Sequence, residues 1–498
     1  MKKFRLISQI VFFLIFILIF FRAIIDLNYY GESFDLKGGL KYIFIVDPLI
    51  AITTFIAAHK FELIFGISAI FLLLTLIFGR FFCGWICPFG SIHHFVSYVS
   101  AKFFKRKYEH KLTNLYKLKY YILIVLIFFA FFKLNFAGYF DPLSILVKGF
   151  GIFILPVISL IYKLELLPEN IKDILFYNIL GRENFYYSQS VLIGSFFIFL
   201  IGLNIYKSRF WCVYLCPLGA LYGFLAKYSF FKIKRLENCS NCKLCNEECY
   251  ANAMPGGDLF KSSECMLLFD CLGKCSNNAI SYKLKTTVTN IDLTRRETIF
   301  TLITATAGIS IAKISNIPIG RNPNLIRPPG SKIEDEFLNL CIRCGGCMKV
   351  CPENFLQPAF LEAGLLGLWT PIGNANFGYC VFNCNLCGLV CPTGAIEKLS
   401  IDEKKKFVIG TAFIDKNRCL PYAYNTNCMV CEEHCPTSPK AIYFEEEILE
   451  DNNNKKILKK PKVNPRLCIG CGICQYKCPV TDKPAIYITS IKKGGLFF

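Results

Sequence analysis

The chain has 498 residues, more than one ordinary domain holds, and 54% of them are hydrophobic, including 49 Phe, well above the composition of a water-soluble domain. Part of it is therefore expected in lipid. The formal charge of +20 raises nucleic acid as a partner, but the charges fall where membrane topology and lipid headgroups put them, so no nucleic-acid contact is expected. The 27 cysteines come in tight runs, most ending in Cys-Pro, and only four precede Cys239. A disulfide framework belongs to short secreted chains and is set aside.

Residues 6–25, "LISQIVFFLIFILIFFRAII", are apolar over a length that crosses a bilayer. Lys2, Lys3 and Arg5 ahead of them place the N-terminus in the cytoplasm. No small-residue cleavage site follows, which argues against a signal peptide. Further spans are expected at 61–79, 120–136 and 188–206. Between the second and third, Lys102, Lys105, Arg106, Lys107, Lys111, Lys117 and Lys119 stand against Glu109 alone, so that loop is cytoplasmic. The loops at 26–47 and 162–187 carry Asp26, Asp35, Asp47, Glu165, Glu169 and Asp173, which suits the outer face.

The apolar part contains a repeat. "FIVDPLIAITTF" precedes "GRFFCGWICPFGSI", and "GYFDPLSILVKGF" precedes "SRFWCVYLCPLGAL". Each half reads helix, Asp-Pro re-entry, helix, Cys-x-x-x-Cys-Pro, and two matches in order argue for duplication. Cys83, Cys87, Cys212 and Cys216 could form a dithiol pair, bind a metal together or lend a ligand to nearby clusters, with buried structural cysteine as the bland alternative. Asp47 and Asp141 are costly near lipid and so are functional candidates, for taking protons from a quinol, against a capping role beside Pro. His93 and His94 follow the first motif, and an interfacial position is enough to explain them.

Polar sequence begins near 231. Residues 231–290 hold "CSNCKLCNEEC" at 239–249 and "CMLLFDCLGKC" at 265–275. An apolar stretch at 298–315 preceded by "TRRE" reads as a twin-arginine signal or a positive-inside anchor, so 291–316 is taken as a further transmembrane helix. Residues 317–335 read as a Pro/Gly/Asn linker and 336–498 as a second cysteine-rich domain outside the cytoplasm. It carries "CIRCGGCMKVCP" at 341–352, "CVFNCNLCGLVCP" at 380–392, "CLPYAYNTNCMVCEEHCP" at 419–436 and "CIGCGICQYKCP" at 468–479.

Such runs are specific for iron–sulphur clusters: a Cys-x2-Cys-x2-Cys loop supplies three thiolates, and the trailing Cys-Pro ligates the other cluster of a pair. Structural zinc wants two separated pairs instead. The fold class is accordingly a membrane α-helical bundle, 1–230, of four spans plus one anchor helix, with two α+β bacterial-ferredoxin-like domains. Crossing the ligands puts Cys239, Cys242, Cys245 and Cys275 on one cluster and Cys249, Cys265 and Cys271 on another. Leu268 stands where that second set lacks a thiol, which suits a three-iron cluster or a four-iron cluster with a non-Cys ligand, Asp270, Cys87 and Cys216 being candidates. In the C-terminal domain a nested order is expected: Cys341, Cys344, Cys347 with Cys478; Cys468, Cys471, Cys474 with Cys351; Cys380, Cys384, Cys387 with Cys435; Cys419, Cys428, Cys431 with Cys391. Pairing of neighbouring motifs is the alternative. In all, about five four-iron clusters and one atypical site are expected.

With these motifs in view, residues 1–283 resemble the NapH family of membrane quinol-oxidising subunits, and residues 294–498 resemble NapG and MauM, ferredoxin-type proteins outside the membrane. The resemblance to a NapH–NapG fusion implies electrons passing from menaquinol to an extracytoplasmic molybdoenzyme or cytochrome acceptor, with periplasmic nitrate reductase the usual one. It implies an electron-transfer subunit of the cytoplasmic membrane, in contact with lipid and the menaquinone pool, rather than a stand-alone enzyme. The competing class is a polyferredoxin that matures or regulates an extracytoplasmic metalloenzyme by supplying electrons or thiol chemistry. No haem ligands are found in the spans to join the two ferredoxin-like domains.

Overall fold

The computed structural model describes residues 2–28, 39–59, 65–103, 114–164, 168–169, 185–236, 238–240, 242, 244–254, 260–275, 277, 279–284, 291, 293–315, 325–451, 454–480, 482–492 and 495–496. Outside them lie Lys105, Arg106, Lys107, Glu109 and Lys111 of the basic loop, the acidic Asp35, Glu165 and Asp173, and residues 317–324 of the linker.

Each half of the duplicated module uses the same parts. In the first, α1 (Lys2–Asn28) and α2 (Gly39–Ile45) lead to α3 (Pro48–Ala58), then α4 (Gly66–Phe78), the short α5 (Phe81–Trp85) and α6 (Pro88–Phe103). In the second, α7 (Leu118–Phe131) and α8 (Ala137–Phe140) lead to α9 (Pro142–Lys148), which runs through a π-helical turn at Gly149–Ile154 into α10 (Leu155–Lys163). Then come α11 (Ser190–Gly202), a π-helical turn at Trp211–Leu215 and α12 (Pro217–Ala226). The local causes repeat as well. Asp47 and Asp141 cap α3 and α9, each with Pro at the first helical position, where a missing N–H costs nothing. Cys216 caps α12 through its sulphur, accepting from Gly219 N at 3.2 Å, and Cys87 Sγ accepts likewise from Gly90 N at 3.4 Å.

Among the described residues, three helical stretches are long and apolar enough to cross a membrane, namely Lys2–Phe21, Asn114–Phe131 and Pro142–Lys163, with Gly39–Ile45 and Pro48–Ala58 a fourth if that pair, bent by 91°, counts as one. Two of these coincide with the expected spans at 6–25 and 120–136, and the expected spans at 61–79 and 188–206 coincide with the shorter apolar helices Gly66–Phe78 and Ser190–Ile205. Asp141-Pro142, expected as a re-entry, stands at the start of the 22-residue apolar stretch, with Pro at its first turn. The outward faces remain apolar: Leu14 is 57%, Leu73 60% and Phe199 60% exposed, a surface that lipid rather than water would cover.

The first cysteine-rich domain is closed by antiparallel strands β1 (Phe231–Arg235) and β2 (Ile280–Leu284), with Phe231 opposite Leu284. Helix α13 (Arg295–Ser315) follows and packs along α7: Tyr121 Oη donates to Glu297 Oε2 at 2.6 Å near one end, and Gly308 faces Phe129 near the other. Its Thr and Ser hydroxyls bond back to their own helix, as Thr301 does to Glu297 O at 2.7 Å and Thr306 to Leu302 O at 2.9 Å. The helix thereby keeps its polar atoms satisfied on an apolar surface. The C-terminal domain holds the antiparallel pairs β3 (Leu356–Pro358) with β4 (Pro371–Gly373), β5 (Thr411–Ile414) with β8 (Ile486–Thr489), and the hairpin β6 (Ile442–Asp451) with β7 (Asn454–Val463).

The two cysteine-rich domains grip opposite ends of α1. Arg5 Nη1 donates to Asp270 Oδ2 at 2.6 Å and to Leu268 O at 3.0 Å in the first, while Lys349 of the C-terminal domain donates to Phe20 O. Phe20 lies fifteen residues beyond Arg5 on the helix, roughly 22 Å along its axis. The C-terminal domain sits hard against the bundle at Gly138, where an added Cβ would fall 1.5 Å from Ile342 O. Gly138→Val is therefore expected to prise the domain off the bundle and expose 336–378 to protease. Gly202→Val, at a site with nothing within 4 Å, should leave the cleavage pattern unchanged. An overpacking cost of about 1–3 kcal/mol or more would suffice.

Candidate metal centres

The duplication brings its four cysteines together. Cys87 and Cys216 each lie within electrostatic reach of Cys212 and Cys83, and of one another. All four are nearly inaccessible, Cys83 at 9% and Cys216 at 6% exposure. Two arginines cross between the halves to reach them. Arg209 of the second half donates through Nη2 to Gly90 O at 2.8 Å and Cys83 O at 3.4 Å in the first. Arg80 of the first half neighbours Cys216 and would lie 2.8 Å from a Cβ on Gly219 in the second. Both guanidinium groups are fully buried, and Arg80 Nε, Arg80 Nη2 and Arg209 Nε have no hydrogen-bond partner. Four thiolates with unspent cationic donors beside them suit an anionic iron–sulphur cluster, whose potential responds to such donors. Among the described residues no three His, Cys, Asp or Glu side chains converge on a position for a single ion; a four-iron cube takes its thiolates from more widely spaced corners.

In the first cysteine-rich domain, Cys249, Cys265 and Cys271 line one cavity with Leu268 and Asp270. Burial, with Cys249 next in weight, pushes the Cys265 thiol up to about 12. Leu268 takes the place of a thiol for a packing reason: its side chain lies against Gly84 of α5 and its carbonyl receives Arg5. Of the three expected substitute ligands, Cys87 and Cys216 lie with the membrane set, while Asp270 lines this cavity: its Oδ2 pairs with Arg5, and its Oδ1, 3.5 Å from Lys2, has no hydrogen-bond partner.

The domain is keyed into the bundle by Glu264. Its carboxylate, 0% exposed, meets Lys119, receives Tyr120 Oη at 2.8 Å and lies 3.5 Å from Arg80 Nη1. Arg80 Nη1 also donates to Ser263 O at 2.9 Å. Burial raises the affinity of Glu264 for a proton, but the charges of Lys119 and Arg80 outweigh it and hold the carboxyl below its usual range.

In the C-terminal domain the nested order is overturned. Cys341, Cys344 and Cys347 neighbour Cys391, and Cys380, Cys384 and Cys387 neighbour Cys351. Cys419, Cys428 and Cys431 line one cavity with Cys478, and Cys468, Cys471 and Cys474 neighbour Cys435. Adjacent motifs thus exchange their trailing cysteines, because each pair of cysteine loops forms its own unit, with the helical turns Gly346–Lys349 and Leu386–Leu389 packed together in one and Val430–Glu433 and Ile473–Tyr476 in the other. The sets also abut in order: Cys347 neighbours Cys387, Cys471 neighbours Cys380, and Cys474 neighbours Cys431. The first set faces the bundle, where buried Lys148 lies near Cys344 and Cys341.

The paired histidines each meet a buried side chain. His93 Nδ1 meets Asn204 Nδ2 at 2.6 Å, and His94 Nε2 meets Arg5 Nη2 at 3.3 Å. Arg80, Arg209 and Glu264 went unnoticed in the sequence, although an Arg three residues before the first Cys of each repeat was a visible signal.

Residues 61–108 and 189–236 match a family model described as a 4Fe-4S binding domain. Those stretches carry Cys83, Cys87, Cys212 and Cys216 and no other cysteine. Residues 337–357 match a further 4Fe-4S binding domain, and 426–481 a 4Fe-4S dicluster domain. The chain is similar to the ferredoxin-type protein NapG of Escherichia coli (strain K12), 36% identical over 179 residues, which are 34% of this chain and 74% of that protein. It is similar to the methylamine utilization ferredoxin-type protein MauM of Methylorubrum extorquens, 31% identical over 195 residues, 39% of this chain and 84% of MauM. An uncharacterized protein of Methanocaldococcus jannaschii is 28% identical over 286 residues, 56% of this chain and 94% of its own length. No solved structure matches.

Glu264→Gln leaves Arg80 and Lys119 buried without their anion, a loss of about 3–5 kcal/mol. Residues 231–284 should then be released by protease at denaturant concentrations where the parent chain resists. The same contact should weaken with acid. A carboxyl held below its ordinary value of about 4.3 contributes stability above that pH and loses it as pH falls through its folded-state value. Protection of 231–284 is thus expected to be flat from pH 7 to 5 and to fall below about pH 4, and to be pH-independent in Glu264→Gln.

Proposed function

The chain belongs to the family of ferredoxin-type proteins that includes NapG and MauM, and we propose that it carries electrons through the cytoplasmic membrane, from menaquinol to a reductase on the outer side, with periplasmic nitrate reductase as the acceptor. The observation that carries this reading is the meeting of Cys83, Cys87, Cys212 and Cys216 between two cysteine-rich domains held at opposite ends of α1. Iron–sulphur clusters bound at the thiol sets would supply one-electron carriers.

The residues set the order of those carriers. Cys239, Cys242, Cys245 and Cys275, then Cys249, Cys265 and Cys271 as an atypical three-thiol site, lie at the N-terminal end of α1. Arg80 spans the next step, since its charge reaches Cys265 as well as Cys83 and Cys216. Lys148 stands at the step outward, near Cys344. The sets of Cys391, Cys351, Cys435 and Cys478 then follow one another away from the bundle. Burial of the membrane thiols below 10% exposure keeps water from this path. In this topology the N-terminus is cytoplasmic, α13 crosses outward behind Arg295 and Arg296, and the C-terminal domain is periplasmic. The menaquinol donor and the acceptor follow from the resemblance to NapH and NapG.

Replacing Cys212 and Cys216 with Ser should remove one cluster, about four irons per chain. It should also abolish reduction of the C-terminal clusters by a menaquinol analogue, while dithionite still reduces them directly. Unchanged iron content, or unimpaired reduction by the quinol analogue, would overturn the path. Protease added to right-side-out spheroplasts should remove 336–498; digestion in inverted vesicles alone would overturn the topology.

A further inference from the structure

We propose that Asp47 and Asp141 form one proton-binding site, a carboxyl pair that holds one shared proton and takes up a second when the neighbouring membrane thiol site gains an electron. The uptake rests on those thiols being an electron-carrier site; the shared proton does not.

The two acids come one from each half of the duplication and are both 0% exposed. Asp47 Oδ1 accepts from Leu49 N at 2.9 Å and Ile50 N at 3.3 Å, and Asp141 Oδ2 accepts from Ser144 N at 2.7 Å. Their other oxygens, Asp47 Oδ2 and Asp141 Oδ1, have no donor. Yet the carboxyls stand within hydrogen-bonding range of each other. An ionised carboxylate only accepts, so that contact needs a proton between the two groups. Among the described residues no cation forms an ion pair with either acid: Lys148, within electrostatic reach of Asp141, donates its Nζ to Gly138 O at 3.0 Å and lies over the Tyr139 and Trp369 rings, while Arg80 and Arg209 are turned to backbone carbonyls, thiols and Glu264. One proton leaves one negative charge, which the first turns of α3 and α9 stabilise.

A second observation points into the same place. The Tyr222 hydroxyl of α12 is 0% exposed, has no hydrogen-bond partner and lies within electrostatic reach of Asp47 and Asp141 as well as Cys83 and Cys87. Ser144 Oγ, one turn into α9, is buried and unpartnered too. The titratable groups around the pair are therefore Tyr222 from α12, Cys83 from α5, Cys87 at the start of α6 and Lys148 from α9. Adding one electron from a quinol or dithionite at the thiol site, and one proton from water at the carboxyl pair, leaves the local charge unchanged.

The test uses the full chain in lipid nanodiscs. Infrared spectra should contain a protonated-carboxyl band that shifts in D2O and is lost in both Asp47→Asn and Asp141→Asn. The midpoint of the membrane thiol site, followed by EPR, should fall with each tenfold drop in proton concentration by about 59 mV for a one-electron couple, and should be independent of pH in Asp141→Asn. A missing band, a band that survives in both variants, or one that responds to sodium rather than D2O would overturn the shared proton. A band present with a pH-independent midpoint would overturn the uptake. A band present with no EPR signal from the membrane thiols would overturn the carrier reading and leave the shared proton standing. Should a variant lose its iron through misfolding, the D2O shift of the parent chain decides.

Discussion

A guanidinium cannot be left alone in an apolar bundle, and Arg80 is where this chain meets that constraint. It is 0% exposed, and it faces two groups that can balance its charge, Glu264 from the domain that follows the module and, where they hold a cluster as thiolates, Cys83 and Cys216 inside it. The thiol contact fixes the geometry of the membrane thiols. The carboxylate fixes the first cysteine-rich domain to the bundle, because Glu264 is itself stable in that position only while Arg80 and Lys119 face it. Loss of any one member leaves a buried charge uncompensated, so bundle, thiol site and domain are expected to stand or fall together.

Arg209 repeats the arrangement across the duplication, reaching from the second half to Cys83 and Gly90 in the first. Each half therefore supplies the other with its cation. A single half would bring two thiols, one acid and an arginine with nothing to neutralise, and neither the four-thiol site nor the carboxyl pair would exist. That interdependence explains why the small residues Gly90 and Gly219 follow the two Cys-Pro pairs. A Cβ at Gly90 would fall 2.8 Å from Cys83 O, and one at Gly219 would fall 2.8 Å from Arg80 Nη2.

What could be read in the sequence was what depends on short spacing. The cysteine loops are local, so the runs at 239, 341, 380, 419 and 468 announce their chemistry, and the repeated "Asp-Pro … Cys-x-x-x-Cys-Pro" announces the duplication. Which trailing cysteine joins which loop is a long-range matter, and spacing alone allowed the nested order that the packing of adjacent units excludes. The helix that follows Pro142 was hidden for a different reason: proline breaks a helix from within but not at its first turn, and only the capping geometry of Asp141 tells the two apart. Leu268 stands where a ligand thiol is missing, and the sequence alone did not show that it is also the apolar contact through which the domain meets Gly84. Arg5, counted among the charges that orient α1, is in fact buried against Asp270.

The outer junction obeys the same constraint with the opposite balance. Lys148 and Lys349 are buried where the C-terminal domain meets the bundle, and among their described partners are carbonyls and aromatic faces: Gly138 O, Tyr139 and Trp369 for the one, Phe20 O and the Phe20 ring, 3.5 Å away, for the other. Neither ring nor carbonyl cancels a full charge, so burial works against Lys349 holding one, whereas Lys148 has the thiols of Cys344 and Cys341 within its reach. The thiol set nearest Lys148, that of Cys341, Cys344, Cys347 and Cys391, thus sits in a positive field, and an added electron there is stabilised relative to one in a neutral setting. Along the proposed path, the first stop beyond the membrane is the one where the surrounding charge draws the electron outward.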